Sequence, residues 1–342
     1  MDKDEIVGTV LIDVSKAFDS IDHSLLLKKL DAYGVEDVEM TWFADYLSGK
    51  KQRVILDDEV SEWSDVLRGV SQGSILGSLL FNIYVNDLPD VANYSAINLY
   101  ADDTTIYVTD RDPDSLSFKL SKDLQKITEW IERNGLKMNV GKTQLMVLGR
   151  KRSKSKANLV RVNLNRKQIT QQTEVKYLGI TIDEQLSWKK QVDLVRKKSL
   201  AGLAMIRRAS TYLPSATRCL LNNALVLPHL DYCSAVYHSC NATLERVQKY
   251  GMCTFPKKPP RTRSEPLRRK LVWSTLNKGR ESNELYQVHQ CLLGLAPAYL
   301  CKKNSRQRQT MVIHKQGEET SYFLTDLNLK ITDVSLCEIV RM

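Results

Sequence analysis

Short apolar runs alternate with helix-period stripes through the first half of the chain, and helical stripes alone carry most of the second half. Val7 to Asp13 is a near-continuous apolar run that closes on a carboxylate, which predicts a strand. Asp22-His23 opens a helix through Leu25, Leu26, Leu27 and Leu30 that stops near Gly34, and a second runs from Val38 to Leu47. Gln52–Leu56 and Trp63–Leu67 predict a hairpin around an acidic turn. Gly73 begins a loop that feeds a helix through Leu79, Leu80, Ile83 and Tyr84. Ala96–Leu99 and Thr104–Val108 predict another hairpin, with two adjacent carboxylates at its tip.

Asp114-Ser115 is expected to cap a long helix whose stripe is Leu116, Leu120, Leu124, Ile127 and Ile131, with Gly135 as its stop. Gln144–Leu148 predicts a strand, residues 151–156 a basic loop, and Val175–Ile182 a further strand. Beyond Trp188 the period is helical. Val192, Val195, Leu200, Leu203 and Ile206 share one helix, Ala216–Leu227 forms a second that Pro228 stops, and Ala242–Met252 a third. Lys257–Arg263 reads as an extended linker, with helical segments near Leu267–Leu271 and Glu281–Leu293. After about Lys303 the patterning weakens, as in a frayed tail or a shifted reading frame. Mixed strands and helices followed by a helical region define an α+β fold class with an all-helical second part.

A length of 342 residues accommodates two domains, and 42% hydrophobic residues support a real core. No apolar run approaches the roughly 18 residues of a membrane span, and the N-terminus lacks a signal-type apolar stretch. The expected setting is therefore intracellular, nuclear and/or cytoplasmic, without a membrane partner. Seven cysteines, all from Cys219 onward, are too sparse for a secreted disulfide framework. His229, Cys233, His238 and Cys240 invite a zinc reading, but their spacing favours buried helix cysteines. Charge is divided sharply: residues 1–110 hold 21 acids and 8 bases, residues 111–342 hold 19 acids and 42 bases. The basic part suits a polyphosphate backbone.

The acidic part holds the candidate chemistry. Asp is depleted in strands, yet Asp13 closes one predicted strand, and Asp102 and Asp103 lie between two others. Three acids on neighbouring strand ends repel each other unless a cation neutralises them. Oxygen-only ligands suit Mg²⁺, and two such ions clamp the attacking and leaving oxygens of a phosphoryl displacement.

At these residues the chain resembles the reverse transcriptases of non-LTR, jockey-like retrotransposons. Leu11-Ile12-Asp13-Val14-Ser15-Lys16-Ala17-Phe18-Asp19 is similar to that family's first catalytic motif, and Tyr100-Ala101-Asp102-Asp103 to its second acidic motif. Gly69-Val70-Ser71-Gln72-Gly73-Ser74-Ile75-Leu76-Gly77 resembles the template- and nucleotide-contacting motif. Asn134–Asn139 with Lys142-Thr143, then Lys176-Tyr177-Leu178-Gly179, continue the family order to about residue 302. One such motif arises easily by chance; five in order do not.

The resemblance implies a polymerase palm over 1–185, a helical thumb over 186–256 and a helical C-terminal extension over 257–342. It implies RNA-directed DNA polymerisation, with two Mg²⁺ ions, or Mn²⁺ in their place, held by Asp13, Asp102 and Asp103. Lys142 would meet the departing pyrophosphate, and Phe18, Gln72 and Gly73 the incoming deoxynucleotide. Lys176, Tyr177, Leu178 and Gly179 would form the turn that grips the primer end. Lys189, Lys190, Lys197 and Lys198 would hold the duplex by its phosphates. Implied partners are an RNA template, a DNA primer and deoxynucleoside triphosphates; the sequence names no protein partner.

Ser71 and Ser78 stand where the family usually has proline, which is expected to loosen the loop. The family also places a fingers region before the first motif, whereas twelve residues precede Asp13 here. An N-terminally truncated fragment with impaired polymerase activity is therefore expected. The competing reading is an inactive relic that only binds nucleic acid. A palm-fold nucleotide cyclase fits the loop at Gln72-Gly73 and the long basic helical region less well.

Overall fold

A computed structural model describes residues 5–150, 153–165, 167–237, 241–254, 263–271 and 273–296, and the backbone of 315–316 and 319–320. The chain divides into two compact units, with the boundary between Ser187 and Trp188.

The first unit is built on a four-stranded antiparallel sheet of β1 (Ile6–Ile12), β6 (Ala96–Tyr100), β7 (Asp103–Asp110) and β8 (Gln144–Leu148), in the order β6-β7-β1-β8. β1 is central, with β7 on one side and β8 on the other. Two helices follow β1, α1 (His23–Ala32) and α2 (Asp37–Leu47). Asp22 caps α1, its Oδ1 accepting from the Leu25 N–H at 3.1 Å.

The predicted hairpin of residues 51–65 is a ribbon in two pieces. β2 (Lys51–Gln52) pairs with β5 (Ser64–Asp65), and β3 (Ile55–Leu56) with β4 (Glu59–Val60). The register shifts by one residue between Gln52↔Ser64 and Ile55↔Val60, as at a bulge. Asp57, at φ 51°, makes the acidic turn.

α3 (Ile75–Val85) is capped by Ser74, whose Oγ accepts from the Gly77 N–H at 2.9 Å. α4 (Pro113–Arg133) buries the whole predicted stripe, Leu116, Leu120, Leu124, Ile127 and Ile131, in the core against the sheet. Each such side chain contributes roughly 1.5–3 kcal/mol. Gly8 lets α4 come close to β1, because a Cβ there would stand 2.6 Å from Leu120 Cδ1. The cap of α4 differs from the expectation. Pro113 occupies the first turn and Asp112 accepts from the Ser115 N–H, so the helix begins before Asp114. Proline's fixed φ and missing donor suit that position.

Beyond β8, the described part of the basic connection contains a short helix, α5 (Lys154–Ala157), then β9 (Asn163–Leu164) paired with β10 (Lys167–Gln168). Lys151 and Arg152 lie outside the described residues. The single strand expected over 175–182 is instead a hairpin of β11 (Glu174–Tyr177) and β12 (Ile180–Asp183). Leu178 and Gly179, both at positive φ (44° and 81°), turn the chain between them.

Between residues 189 and 292 the described elements of the second unit are all helices, among them α6 (Lys189–Arg208), α7 (Ser215–Leu225), α8 (Leu227–Asp231), α9 (Asn241–Thr254), α10 (Ser264–Leu271) and α11 (Leu276–Leu292), joined by turns. Pro228 does not end a helix as expected. It lies in the first turn of α8, where its missing N–H costs nothing. Most of the expected linker over 257–263 lies outside the described residues, as do His238 and Cys240 of the zinc reading. The molecule is thus an α+β chain: an antiparallel sheet with packed helices, followed by a helical part. Among the described residues no helix is long and apolar enough to cross a membrane.

Candidate active site

Asp13 and Asp103 stand one residue beyond Ile12↔Thr104, the last pair of the central ladder between β1 and β7. On its other side Asp103 pairs with Tyr100 of β6, so that Ala101 and Asp102 form a two-residue turn. Ala101 takes φ 51°, a left-handed conformation that costs an L-residue roughly 1–2 kcal/mol. At one end of the sheet, β1 thus runs out into Asp13 and β7 begins at Asp103.

Asp102 and Asp13 both lie within electrostatic reach of Asp103. Burial, then the charge of Asp102, then that of Asp13 push the Asp103 carboxyl above its ordinary value. Such a cluster favours a cation. As they stand the carboxylates are not closed round an ion: among the described residues no three His, Cys, Asp or Glu side chains are arranged to grip one. The donor set fits a hard divalent cation by charge and by oxygen chemistry, and its side chains would have to converge to bind it.

Lys142 reaches this site through a stitched backbone. After α4 the chain runs beside the exit of β1, where the Asn139 N–H donates to Asp13 O and the Ser15 N–H to Lys137 O, each at 2.8 Å. The N–H groups of Lys142 and Thr143 then both donate to Asn139 O, closing a turn. That turn sets Lys142 Nζ 3.9 Å from Asp13 Oδ2, a loose pair with the lysine largely exposed.

A second group of motif residues packs around the segment after β1. The Phe18 ring is half-buried and stacks on Phe81, with centroids 4.6 Å apart. Gln72 and Gly73 are exposed on the loop before α3. Gly73 has φ 79°, and a Cβ there would meet nothing within 4 Å. Its glycine therefore serves the backbone turn and leaves space beside the loop. The loop is pinned despite its missing prolines: Ser74 Oγ donates to Ser71 O at 2.8 Å, and a Cβ on Gly77 would strike that same carbonyl.

Lys176, Leu178 and Gly179 lie at the turn end of the β11–β12 hairpin, whereas Tyr177 is buried, so its ring is not at the surface. Lys189, Lys190, Lys197 and Lys198 are all exposed on α6 in the second unit, within one half of the helix circumference.

Two features escaped the sequence reading. Gln72 Nε2 donates to Asp19 Oδ1 at 3.1 Å. Asp123 of α4 is fully buried and accepts from three consecutive backbone N–H groups, Asn93, Tyr94 and Ser95, at 3.0, 2.8 and 2.6 Å. That clamp holds the start of β6, the strand that leads to the acidic turn. Its signal was available, since Asp123 interrupts an otherwise apolar stripe between Leu120 and Leu124.

Residues 3–182 match the family described as reverse transcriptase (RNA-dependent DNA polymerase). The chain belongs to that family. Its relatives include a probable RNA-directed DNA polymerase from transposon X-element of Drosophila melanogaster, 26% identical over 72% of this chain and 28% of that protein. The Pol polyprotein of the type-1 retrotransposable element R1 from Bradysia coprophila is 28% identical over 66% of this chain and 22% of that protein. The RNA-directed DNA polymerase from mobile element jockey of Drosophila melanogaster is 22% identical over 69% of this chain and 26% of that protein. These relatives belong to non-LTR elements. The chain thus matches between 22% and 28% of each of them. A telomerase from Candida tropicalis, solved with a fragment of telomeric RNA, is similar at 9% identity over 85% of this chain and 50% of that one, with a TM-score of 0.37. That value is too low to bear on function.

Proposed function

We propose that the chain is the RNA-directed DNA polymerase core of a non-LTR retrotransposon, adding deoxynucleotides to a primer 3′-hydroxyl opposite an RNA template. The observation that carries this is the end of the central ladder, where Asp13 and Asp103 follow its last pair and where burial, then the charges of Asp102 and Asp13, raise the Asp103 carboxyl. Asp13, Asp102 and Asp103 would hold two Mg²⁺ ions, which when bound supply the electrostatic clamp of a phosphoryl transfer. Residues up to 185 would act as the palm and the helices of 186–256 as a thumb; most of the expected extension over 257–342 lies outside the described residues.

The reaction joins the primer 3′-oxygen to the α-phosphorus and breaks the bond from that phosphorus to the bridging oxygen of pyrophosphate. The hydroxyl proton passes to solvent. Lys142, beside Asp13, provides a positive charge and a proton for the departing pyrophosphate. The half-buried ring of Phe18, held by Phe81, forms a floor for the deoxyribose and leaves no room for a 2′-hydroxyl. Gln72 and Gly73 approach the nucleotide from the loop before α3. Lys176 and the turn at Leu178-Gly179 support the primer end. The exposed lysines of α6 bind duplex phosphates, which position it without reading sequence.

The test is primer extension by residues 1–342 on an RNA template with Mg²⁺, beside Asp102→Asn and a duplex-binding titration. Template-directed extension that the substitution abolishes, with binding unchanged, is the expected result. Salt-sensitive binding without extension would establish the alternative, a relic that only holds nucleic acid.

A further inference from the structure

Gln72 is held from behind. Its Nε2 donates to Asp19 Oδ1 at 3.1 Å, across 53 residues of sequence. A carboxylate only accepts, so the amide nitrogen is the end that must turn towards Asp19. The carbonyl oxygen, Oε1, is then the end left for a ligand.

Asp19 is well placed to impose this. It sits in a 3₁₀ turn, Phe18–Ser20, entered through Lys16 at φ 48° and closed by the Asp19 N–H on Lys16 O at 3.0 Å. The loop carrying Gln72 is fastened to the same segment on both sides of Asp19. The Val70 N–H donates to Phe18 O at 2.9 Å and the Gly69 N–H to Ile21 O at 2.8 Å. His23 Nε2 meets Gly69 O at 2.7 Å. Gly69, at φ 88°, lies so close that a Cβ would stand 2.8 Å from Asp19 Cα.

We infer that Asp19 is a positioning residue which orients the Gln72 amide, so that Gln72 presents an acceptor to a donor group, a hydroxyl or an N–H, of the incoming nucleotide. This rests on the polymerase reading above. Asp19 touches neither nucleotide nor metal; it acts through Gln72. The same strand exit thereby serves three purposes in seven residues, with Asp13 at the acidic edge, Phe18 as the floor and Asp19 setting the loop opposite.

The test measures equilibrium binding of the templated deoxynucleoside triphosphate to the full chain. The chain is first bound to an RNA template and a DNA primer ending in a dideoxynucleotide, so that no chemistry intervenes. Asp19→Ala and Gln72→Ala should each weaken binding about three- to tenfold, the worth of one neutral hydrogen bond between the amide oxygen and the nucleotide. The double variant should be no worse than either single one, since both remove the same contact. Gln72→Glu should weaken binding at least tenfold by setting two carboxylates together. Adding Asp19→Asn should bring it back to within about threefold, because the asparagine amide can donate to the glutamate. A lost fold would not be rescued in this way. Additive losses in the alanine pair, or no rescue of Gln72→Glu, would overturn the inference. A wild-type chain that forms no nucleotide-dependent complex would overturn the polymerase reading and this assignment with it.

Discussion

Backbone strain and close approach single out two residues whose replacement has opposite signs. Ala101 is held at φ 51° by the turn between β6 and β7, where an L-residue is strained and glycine is not. Ala101→Gly should therefore stabilise the chain by about 0.5–1 kcal/mol, the relief being partly offset by a freer unfolded chain. Urea unfolding followed by tryptophan fluorescence measures it, and a loss of stability would show that the turn is not strained. Gly69→Ala should do the reverse. It combines φ 88° with a Cβ 2.8 Å from the Asp19 backbone, which cannot swing away as a side-chain end can. The expected loss is at least about 2 kcal/mol. The Asp103 carboxyl adds a pH signature. Its folded-state value is raised, so folding favours its protonated form. Its contribution to stability is present below the unfolded value and is lost as pH rises through the folded one. Asp103→Asn should hence stabilise the metal-free chain at neutral pH and change little near pH 3. Mg²⁺ should raise the melting temperature of the unsubstituted chain more than that of the variant.

At the scale of elements, α4 does more than fill the core. Its apolar stripe seats it on β1 and β7, and Asp123 in that stripe clamps the turn that starts β6. One helix thus sets where the acidic hairpin begins. Asp123→Ala takes the acceptor from three part-buried N–H groups, and each such loss costs about 1–3 kcal/mol where water does not replace it. The sum should exceed about 3 kcal/mol in chemical denaturation and should speed hydrogen exchange at Asn93, Tyr94 and Ser95. A loss below 1 kcal/mol would mean that water replaces the carboxylate. Lys29 ties further elements together: Nζ donates to Tyr84 O and Asp87, lying over the Tyr84 and Trp130 rings, while Tyr84 Oη donates to Asn134 O at 2.5 Å. The motif ending α4 is anchored to α1 and α3 by that network.

Over the whole molecule, charge separates by unit. The acids of the candidate site lie in the first unit and the α6 lysines in the second. Reversing Lys189, Lys190, Lys197 and Lys198 together should weaken duplex binding uniformly across sequences and flatten its salt dependence by about one unit per phosphate contact removed. A titration against salt concentration checks this. An unchanged slope would assign the backbone contacts to other basic residues.

Patterning along the chain was enough to reveal the strands β1 and β8, most helices, the α4 stripe and the acidic hairpin, because each depends on local periodicity and turn chemistry that neighbouring residues carry. Motif order was enough to reveal the family. Patterning did not reveal the cap at Asp112, the division of residues 175–182 into two strands or the role of Pro228, where one or two residues of backbone geometry decide the boundary. Contacts between distant residues were wholly out of its reach. Asp19 and Gln72 are 53 residues apart, and Asp123 lies about 30 residues from the loop it clamps. Nothing in local propensity orients an amide or counts the N–H groups that converge on a carboxylate. Those partnerships exist only once the sheet has closed and α4 has docked, so tertiary structure alone decided them.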